Sequence, residues 1–320
     1  MSNPIAAFLE AQGTLIVDGG LATELELRGN DLDDALWSAR LLLEDPASIR
    51  DLHLDYLKAG ADCIISASYQ ATIPGLMHRG MSREQAVELL VGSVQLALEA
   101  RELFWAETKN RADQLRPLVA ASVGPYGAYL ANGAEYTGAY DLDGAGLREF
   151  HRARWHILAN AGADLLAVET LPSYPELLEL ISLHQETPGL WAWFSFSCRD
   201  GRHISDGTPL VRCLAALNKA EWVAAVGANC TAPNLVPELI ATIRTASALP
   251  IIVYPNSGEQ YDAAHRRWRG ERDAADFGAA GRGWQQAGAS LIGGCCRTGP
   301  DHILQLKSQL VVAAGENAIV

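Results

Sequence analysis

The chain has 320 residues, of which 49% are hydrophobic and 20% are charged, so it can bury a sizeable core and is not intrinsically disordered. Its formal net charge of −13 disfavours nucleic acid and anionic membrane surfaces as partners, and we expect it to bind neither. Residues 1–12 lack the basic and apolar regions of a signal peptide, which favours a cytoplasmic location. In that reducing compartment, the six cysteines indicate buried, metal-binding or catalytic thiols.

Eight short apolar runs, each ending in glycine or polar residues, recur along the chain. Most of them are apolar at successive positions, which is typical of strands that are buried on both faces of a parallel sheet. The predicted strands are Thr14–Gly20, Ala61–Tyr69, Pro117–Gly124, Ala163–Thr170, Leu190–Ser197, Trp222–Cys230, Pro250–Pro255 and Ala289–Cys296.

Helical stretches separate the predicted strands. They include Pro46–Ala59, Ser82–Ala106, Asp143–Ala161 and Tyr174–His184. Asp45 before Pro46 predicts a helix N-cap followed by proline at the first helical position. A glycine ends a helix just before a strand at Gly60, Gly162 and Gly288. Eight strand–helix units of this kind predict an α/β fold, the (β/α)8 TIM-type barrel.

The barrel is predicted to be a single domain over residues 1–320, with its core at about 14–307, because no Pro-, Gly- or Ser-rich linker divides the chain. Two strand-to-helix segments are enlarged. Pro125–Gly144 carries four tyrosines, and Asn256–Ala274 is polar with a basic cluster. In a barrel of this type, such segments overhang the C-terminal ends of the strands, where active sites lie.

Polar and metal-ligating residues collect at the ends of the predicted strands. Asp18, Glu169 and Asn229 lie at the ends of the first, fourth and sixth strands. Cys230 follows Asn229, and the pair Cys295-Cys296 ends the eighth strand after two glycines. Because the C-terminal strand ends of a barrel meet at one rim, we expect these residues to form one site.

The three strand-end thiols allow several interpretations. A vicinal pair such as Cys295-Cys296 could be inert core or a strained redox pair. Together with Cys230 it supplies three ligands, and three protein ligands plus an open position are the pattern of a catalytic zinc site. We therefore predict that Cys230, Cys295 and Cys296 bind zinc. The cysteines predicted to be structural are Cys63, Cys198 and Cys213.

The charge of three thiolates indicates the chemistry that such a zinc ion supports. The ion is a poor Lewis acid for making hydroxide, but a substrate thiol that coordinates it is deprotonated. This favours alkyl transfer to a thiol from a good leaving group such as a sulfonium. No side chain beyond the zinc site is predicted to act as a catalyst.

Aromatic and acidic side chains could recognise the substrates. The aromatic candidates for cation–π contact are Trp37, Tyr69, Tyr126, Tyr129, Tyr136 and Tyr140, with ordinary packing as the alternative for each. Asp18 and Glu169 could fix the ammonium group of an amino-acid substrate. A structural salt bridge or a helix N-cap is the alternative for these carboxylates.

Several motifs resemble the zinc-dependent homocysteine S-methyltransferase family, and the likeness runs from about Leu15 to Leu306. The motifs are Asp18–Leu25 (DGGLATEL), Val168–Thr170 (VET), Gly227–Cys230 (GANC) and Gly293–Arg297 (GGCCR). Further stretches resemble the bacterial members that use S-methylmethionine, namely Ser122–Leu130, Phe194–Phe196, Ser205–Leu210 and Val253–Glu259.

The resemblance implies a zinc-bearing barrel that moves a methyl group from S-methylmethionine, or from S-adenosylmethionine as a weaker donor, to homocysteine, giving methionine. The zinc ligands it implies are Cys230, Cys295 and Cys296. The substrate contacts expected are Asp18, Glu169, Trp37, Tyr69 and Asn229, with the two carboxylates on the amino group of homocysteine. No cobalamin-binding or folate-binding module is expected.

Two other functions remain open from the sequence. A zinc hydrolase on the same barrel would use the open metal position for hydroxide, but hydrolytic sites usually carry His and carboxylate ligands. A non-catalytic redox or zinc-binding thiol protein would form a disulfide without transferring a methyl group.

Overall fold

Eight parallel strands form one sheet in the part of the chain that the structure describes. This computed structural model describes residues 2–29, 38–107, 109, 114–258, 260–262, 267–269 and 276–311. The strands of the sheet are β1 (Leu15–Ile16), β2 (Cys63–Ile65), β3 (Leu118–Val123), β4 (Leu165–Leu171), β5 (Ala192–Phe196), β6 (Val223–Asn229), β7 (Ile251–Tyr254) and β10 (Leu291–Ile292). A separate antiparallel pair consists of β8 (Gln260–Asp262) and β9 (Arg267–Arg269).

The sheet closes into a barrel because its two edges meet. Its strand order is β1-β10-β7-β6-β5-β4-β3-β2, and a parallel bridge between Val17 and Cys63 joins the first strand to the last. At the same place, the Asp18 N–H donates a hydrogen bond of 3.0 Å to the carbonyl of Cys63. The predicted (β/α)8 barrel is confirmed, and β7 alone separates the strands that lead into the cysteines, β6 and β10.

Helices alternate with the strands, and most of them cover the outside of the barrel, whereas α1 packs against its interior. They are α1 (Ala6–Gln12), α2 (Leu21–Leu27), α3 (Ser38–Glu44), α4 (Pro46–Ala59), α5 (Ile73–His78), α6 (Arg83–Ala106), α7 (Tyr126–Leu130), α8 (Gly144–Ala159), α9 (Tyr174–His184), α10 (Leu210–Leu217), α11 (Val236–Ala246), α12 (Phe277–Ala287) and α13 (Pro300–Leu310). None of these described helices is both long and apolar enough to span a membrane.

The helix boundaries follow the sequence signals. Asp45 caps α4, because its side chain accepts a hydrogen bond of 3.2 Å from the Ser48 N–H. Gly60, Gly162 and Gly288 have φ angles of 106°, 93° and 119°, so each reverses the chain in the left-handed region that favours glycine. The predicted joints between helices and strands are therefore confirmed.

The fold contains two buried apolar layers. The larger lies between strands and helices, and includes residues such as Leu52, Leu177 and Ile240. The smaller fills the barrel, where Trp193 and Tyr254 are nearly or fully buried among residues of the other strands. Ile5 and Phe8, at the start of the chain, pack into this inner layer. The filled interior leaves the rim as the place for a site.

The first enlarged segment, Pro125–Gly144, contains α7 and a 3-10 turn at Ala134–Tyr136. Tyr126 packs edge-on against Tyr140 and Phe150, with ring centroids 5.4 and 4.9 Å away. The second segment, Asn256–Ala274, is described in part and contains the β8–β9 pair. The first segment reaches the thiols at the barrel rim, because its Tyr136 forms a side-chain hydrogen bond with Cys296.

Candidate metal centre and substrate pocket

The three predicted ligands meet at the C-terminal rim of the barrel. The Sγ atoms of Cys230, Cys295 and Cys296 all lie within 4.8 Å of one another, and each residue is half-buried. β6 delivers Cys230, whereas β10 and the glycines after it deliver the vicinal pair. A Cβ atom added to Gly20 would lie only 2.5 Å from the Cys295 carbonyl oxygen, so a glycine there lets the end of β1 pack against this loop.

Cys230 and Cys295 are joined as a disulfide in the structure, with Cα atoms 5.5 Å apart. The sequence did not predict this pairing. Cysteines whose Cα atoms are this close can form a disulfide when oxidised or, once reduced, place their two thiolates on one metal ion, so the two states exclude each other. The free cysteines among the described residues are Cys63, Cys198, Cys213 and Cys296.

The thiol cluster suits a tetrahedral metal ion once the disulfide is reduced, and the Cys230–Cys296 pair already has the spacing of two ligands. Two sulfur ligands at the usual zinc distance of about 2.3 Å lie about 3.8 Å from each other in a tetrahedron. The Sγ atoms of Cys230 and Cys296 are 3.8 Å apart. Burial raises the pKa of the Cys296 thiol to about 12, so that a coordinated cation is needed to hold it as a thiolate at neutral pH.

The strand ends around the thiols have unusual backbone conformations. Thr170, Cys230 and Arg297 adopt φ angles of 59°, 46° and 67°, which non-glycine residues seldom do. The pairing of β4 with β5 also shifts register between Val168 and Leu171. A bulge of this kind re-aims side chains, and here it contains Glu169. Strain of this type clusters at functional sites.

Asn229 holds the strained Thr170 in place. Its Oδ1 accepts hydrogen bonds of 2.8 Å from the Thr170 N–H and from the Ser195 hydroxyl. Its Nδ2 donates to the Thr170 Oγ1 over 2.7 Å. Asn229 is fully buried, as these partners are. These contacts support a positioning role for Asn229, whereas its predicted contact with substrate stays a prediction.

Glu169 is a buried carboxylate supported by hydroxyl groups from other strands. Its Oε1 accepts a hydrogen bond of 2.5 Å from Ser122, and its Oε2 accepts one of 3.1 Å from Tyr254. The Tyr254 hydroxyl in turn accepts a hydrogen bond from the Trp193 Nε1–H and shares one with the Ser195 hydroxyl. Burial outweighs these bonds and raises the pKa of Glu169 to about 7.

Asp18 lies near Glu169 and interacts with it electrostatically. Its Oδ2 accepts a hydrogen bond of 2.8 Å from the Ile65 N–H. Burial is the main cause that raises the pKa of Asp18 well above its usual value, and the charge of Glu169 adds to it. No described cationic side chain pairs with either carboxylate, and two neighbouring buried carboxylates of this kind favour a positively charged group.

Tyr69 lies beside this acidic pair. It is half-buried and forms a side-chain hydrogen bond with Thr170. Burial first, and then the charges of Glu135, Glu169 and Cys296, raise the pKa of its hydroxyl well above the usual value. The other predicted aromatic contact, Trp37, lies outside the described residues.

Sequence reasoning missed the polar residues inside the barrel. Ser122, Ser195 and Tyr254 support Glu169 and Asn229, but no role was predicted for them. Each is a hydroxyl within a run of otherwise apolar strand residues. That interruption of an apolar run near a strand end is the signal that could have identified them. Glu135 was also missed, because it belongs to an insertion with no regular pattern.

Known proteins resemble this chain over nearly its whole length. The sequence model of the homocysteine S-methyltransferase family matches residues 15–310. This chain belongs to that family. It is 48% identical to the homocysteine S-methyltransferase YbgG of Bacillus subtilis, over 96% of this chain and 97% of that protein. It is also 48% identical to the homocysteine S-methyltransferase of Escherichia coli, over 96% of this chain and 99% of that protein.

A solved structure of the family agrees with the fold. The metallated form of the Escherichia coli homocysteine methyltransferase MmuM superposes with a TM-score of 0.86 at 46% identity, covering 96% of this chain and 99% of that one. An oxidized form of the same protein superposes equally well, with a TM-score of 0.86. The predicted family and barrel are confirmed, and one homocysteine S-methyltransferase has thus been solved with metal.

The first prediction concerns the Asn229 contacts. Asn229→Ala leaves the buried Thr170 N–H without its acceptor, and one buried unsatisfied group costs about 1–3 kcal/mol. We expect the free energy of unfolding, measured by urea denaturation, to fall by about that amount. The matched control is the exposed Asn234→Ala, which should change it by less than about 0.5 kcal/mol. Equal stability of the two variants would exclude the positioning role.

Proposed function

We propose that this homocysteine S-methyltransferase takes its methyl group from S-methylmethionine, holds zinc on Cys230, Cys295 and Cys296, and produces methionine. S-adenosylmethionine is proposed as a weaker donor. The observation that carries the proposal is the convergence of three thiols beside the buried pair Asp18 and Glu169. This combination offers a soft metal site for a substrate thiol and an acidic site for a substrate ammonium group.

When bound, the zinc ion would supply a Lewis acid that ionises the acceptor thiol at neutral pH. The protein contributes position. Asp18 and Glu169 receive the ammonium group of homocysteine, and the hydrogen bonds from Ser122 and Tyr254 fix the Glu169 carboxylate. Orientation of this kind lowers the barrier because the reacting sulfur is held in place before reaction.

The transfer itself is a single displacement. The acceptor sulfur forms a bond to the methyl carbon while the bond from that carbon to the donor sulfur breaks. The electron pair stays on the donor sulfur, so that its positive charge disappears and a thioether is left. With S-methylmethionine and homocysteine, both products are methionine. No general base is required once the thiol has lost its proton.

Tyr69 and the tyrosines of the Pro125–Gly144 segment are proposed to face the cationic donor. Tyr126, Tyr129 and Phe150 form a cluster with ring centroids 4.9–5.7 Å apart. A cation over such a ring is stabilised by about 0.5–2 kcal/mol. The transfer neutralises the sulfonium, so these contacts contribute more to binding the donor than to the reaction step.

The alternatives are less well supported. A hydrolase would need histidine or carboxylate ligands on its metal ion. Among the described residues, the cluster consists of three cysteines. The Cys230–Cys295 disulfide favours a thiol redox protein as a second candidate. A redox function gives no reason for the buried pair Asp18 and Glu169, whereas methyl transfer uses that pair to bind an amino-acid substrate.

The experiment that tests the proposed function is a donor panel. Zinc-loaded protein is supplied with homocysteine and with S-methylmethionine, S-adenosylmethionine or betaine, and methionine is quantified by mass spectrometry. We expect turnover with S-methylmethionine, slower turnover with S-adenosylmethionine, and none with betaine. A protein that cycles between disulfide and thiols but forms no methionine from any sulfonium would instead be the redox protein.

A further prediction concerns the pH dependence of acceptor binding. Glu169 has a pKa near 7 and binds an ammonium group only when it is ionised. Lowering the pH from 8 to 6 should therefore weaken homocysteine binding by about tenfold more in the wild type than in Glu169→Gln. Titration calorimetry at each pH measures this, and Asp18 and the substrate thiol are common to both proteins. If homocysteine affinity had the same pH dependence in the wild type and in Glu169→Gln, Glu169 would not be part of the ammonium site.

A further inference from the structure

Glu135 is a carboxylate near the thiols to which no role has been given so far. It lies in the 3-10 turn Ala134–Tyr136, which follows Gly133 in the left-handed region at φ 85°. The Ser197 hydroxyl donates a hydrogen bond of 2.8 Å to its carbonyl oxygen. A Cβ atom at Gly127 would lie within 2.4 Å of the Glu135 nitrogen. Packing and hydrogen bonding therefore hold the backbone of Glu135 in place.

The side chain of Glu135 lacks a partner for one of its oxygens. Its Oε2 atom is buried and forms no hydrogen bond with any described residue. Burial also raises the pKa of this carboxyl group. A buried carboxylate oxygen without a hydrogen-bond donor is unfavourable, and such an atom beside a binding site indicates a donor that arrives with a ligand.

Glu135 lies next to the thiol cluster in the chain fold, because the adjacent residue, Tyr136, forms a side-chain hydrogen bond with Cys296. After burial, the charge of Glu135 is the next cause that raises the pKa of both Tyr69 and Cys296. Glu169 acts electrostatically on the same tyrosine and the same thiol. Two carboxylates on different segments therefore approach Tyr69 and the metal centre.

Two acidic positions match two amino-acid substrates. Homocysteine and S-methylmethionine each carry one ammonium group, and the pair Asp18 and Glu169 is already proposed for the acceptor. Glu135 lies on a separate segment from that pair. A sulfonium has no N–H bond to offer, so only the ammonium group of the donor can satisfy the Oε2 atom by hydrogen bonding.

We propose that Glu135 binds the ammonium group of the methyl donor and so selects sulfonium compounds that are amino acids. This inference rests on the proposed function, because it assumes a sulfonium donor in the same pocket. Glu135 is a specificity residue, since it contacts the donor at a distance from the reacting sulfur. Donors that lack an N–H group, such as quaternary ammonium compounds, leave its buried oxygen unpaired.

The test compares two ligands that differ in one group. S-methylmethionine and 4-(dimethylsulfonio)butanoate share the sulfonium and the carboxylate, but the second lacks the amino group. Their dissociation constants are measured by calorimetry on the zinc-loaded wild type and on Glu135→Gln. A charge-assisted hydrogen bond should make S-methylmethionine bind about 10- to 100-fold more tightly to the wild type, and Glu135→Gln should bring this ratio to within about threefold.

Controls separate this role from a structural one. Glu10→Gln, at an exposed position of α1, should keep the wild-type ratio. Glu135→Gln should retain its zinc and its unfolding midpoint, and its affinity for homocysteine should change by less than about twofold. Loss of homocysteine binding instead would assign Glu135 to the acceptor and overturn the proposal.

The remaining outcomes are also decisive. A wild type that binds the two ligands equally, or a Glu135→Gln variant that keeps the full preference, would show that Glu135 does not read the amino group. Failure of the proposed function has a different signature, because the wild type would then form no methionine from any sulfonium. The two failures are therefore distinguishable in the same preparation.

Discussion

The hydrogen bonds between Asn229 and Thr170 join the ends of β4 and β6, and the arrangement of the site depends on them. Glu169 immediately precedes Thr170, and Cys230 immediately follows Asn229. Thr170 and Cys230 both have left-handed backbone conformations, which are unfavourable for most residues other than glycine. One side-chain amide therefore fixes the carboxylate proposed for the acceptor and the first proposed metal ligand. Strain at both places persists because buried hydrogen bonds oppose its release.

Burial of three carboxyl groups gives the site its second property, a preference for positively charged ligands. Asp18, Glu169 and Glu135 all have raised pKa values, and burial is the first cause in each case. A carboxylate in such surroundings is more stable with a cation beside it than alone. Both proposed substrates carry an ammonium group, and the donor carries a sulfonium as well. The acidic pocket therefore provides a reason for substrate binding that is separate from the metal ligands.

Much of this arrangement could be predicted from the sequence. Successive apolar residues located all eight barrel strands, and glycines at Gly60, Gly162 and Gly288 located three of the joints before them. Because parallel strands end at a common rim, the positions of Cys230 and of the pair Cys295-Cys296 in the sequence were enough to place three thiols together. These inferences use local patterns and one rule of barrel geometry, so they do not require knowledge of side-chain contacts.

The rest depends on tertiary contacts that have no local pattern. The bonds from Ser122 and Tyr254 to Glu169 join residues 47 and 85 positions apart. The bulge at Glu169 and the unpaired oxygen of Glu135 likewise become visible only when neighbouring strands and loops are packed together. The substrate contact that the family resemblance implies for Asn229 stays a prediction, and its contacts with Thr170, which add a positioning role, have no signal in the sequence.

Zinc content is the measurement that tests the central claim most directly. It is determined by elemental mass spectrometry on the wild type, on the single variants Cys230→Ala, Cys295→Ala and Cys296→Ala, and on Cys198→Ala as a cysteine control outside the cluster. The account predicts one zinc ion per chain in the wild type and the control, and loss of zinc in each of the three variants. Full retention of zinc in any of those three would contradict the assignment of the metal centre.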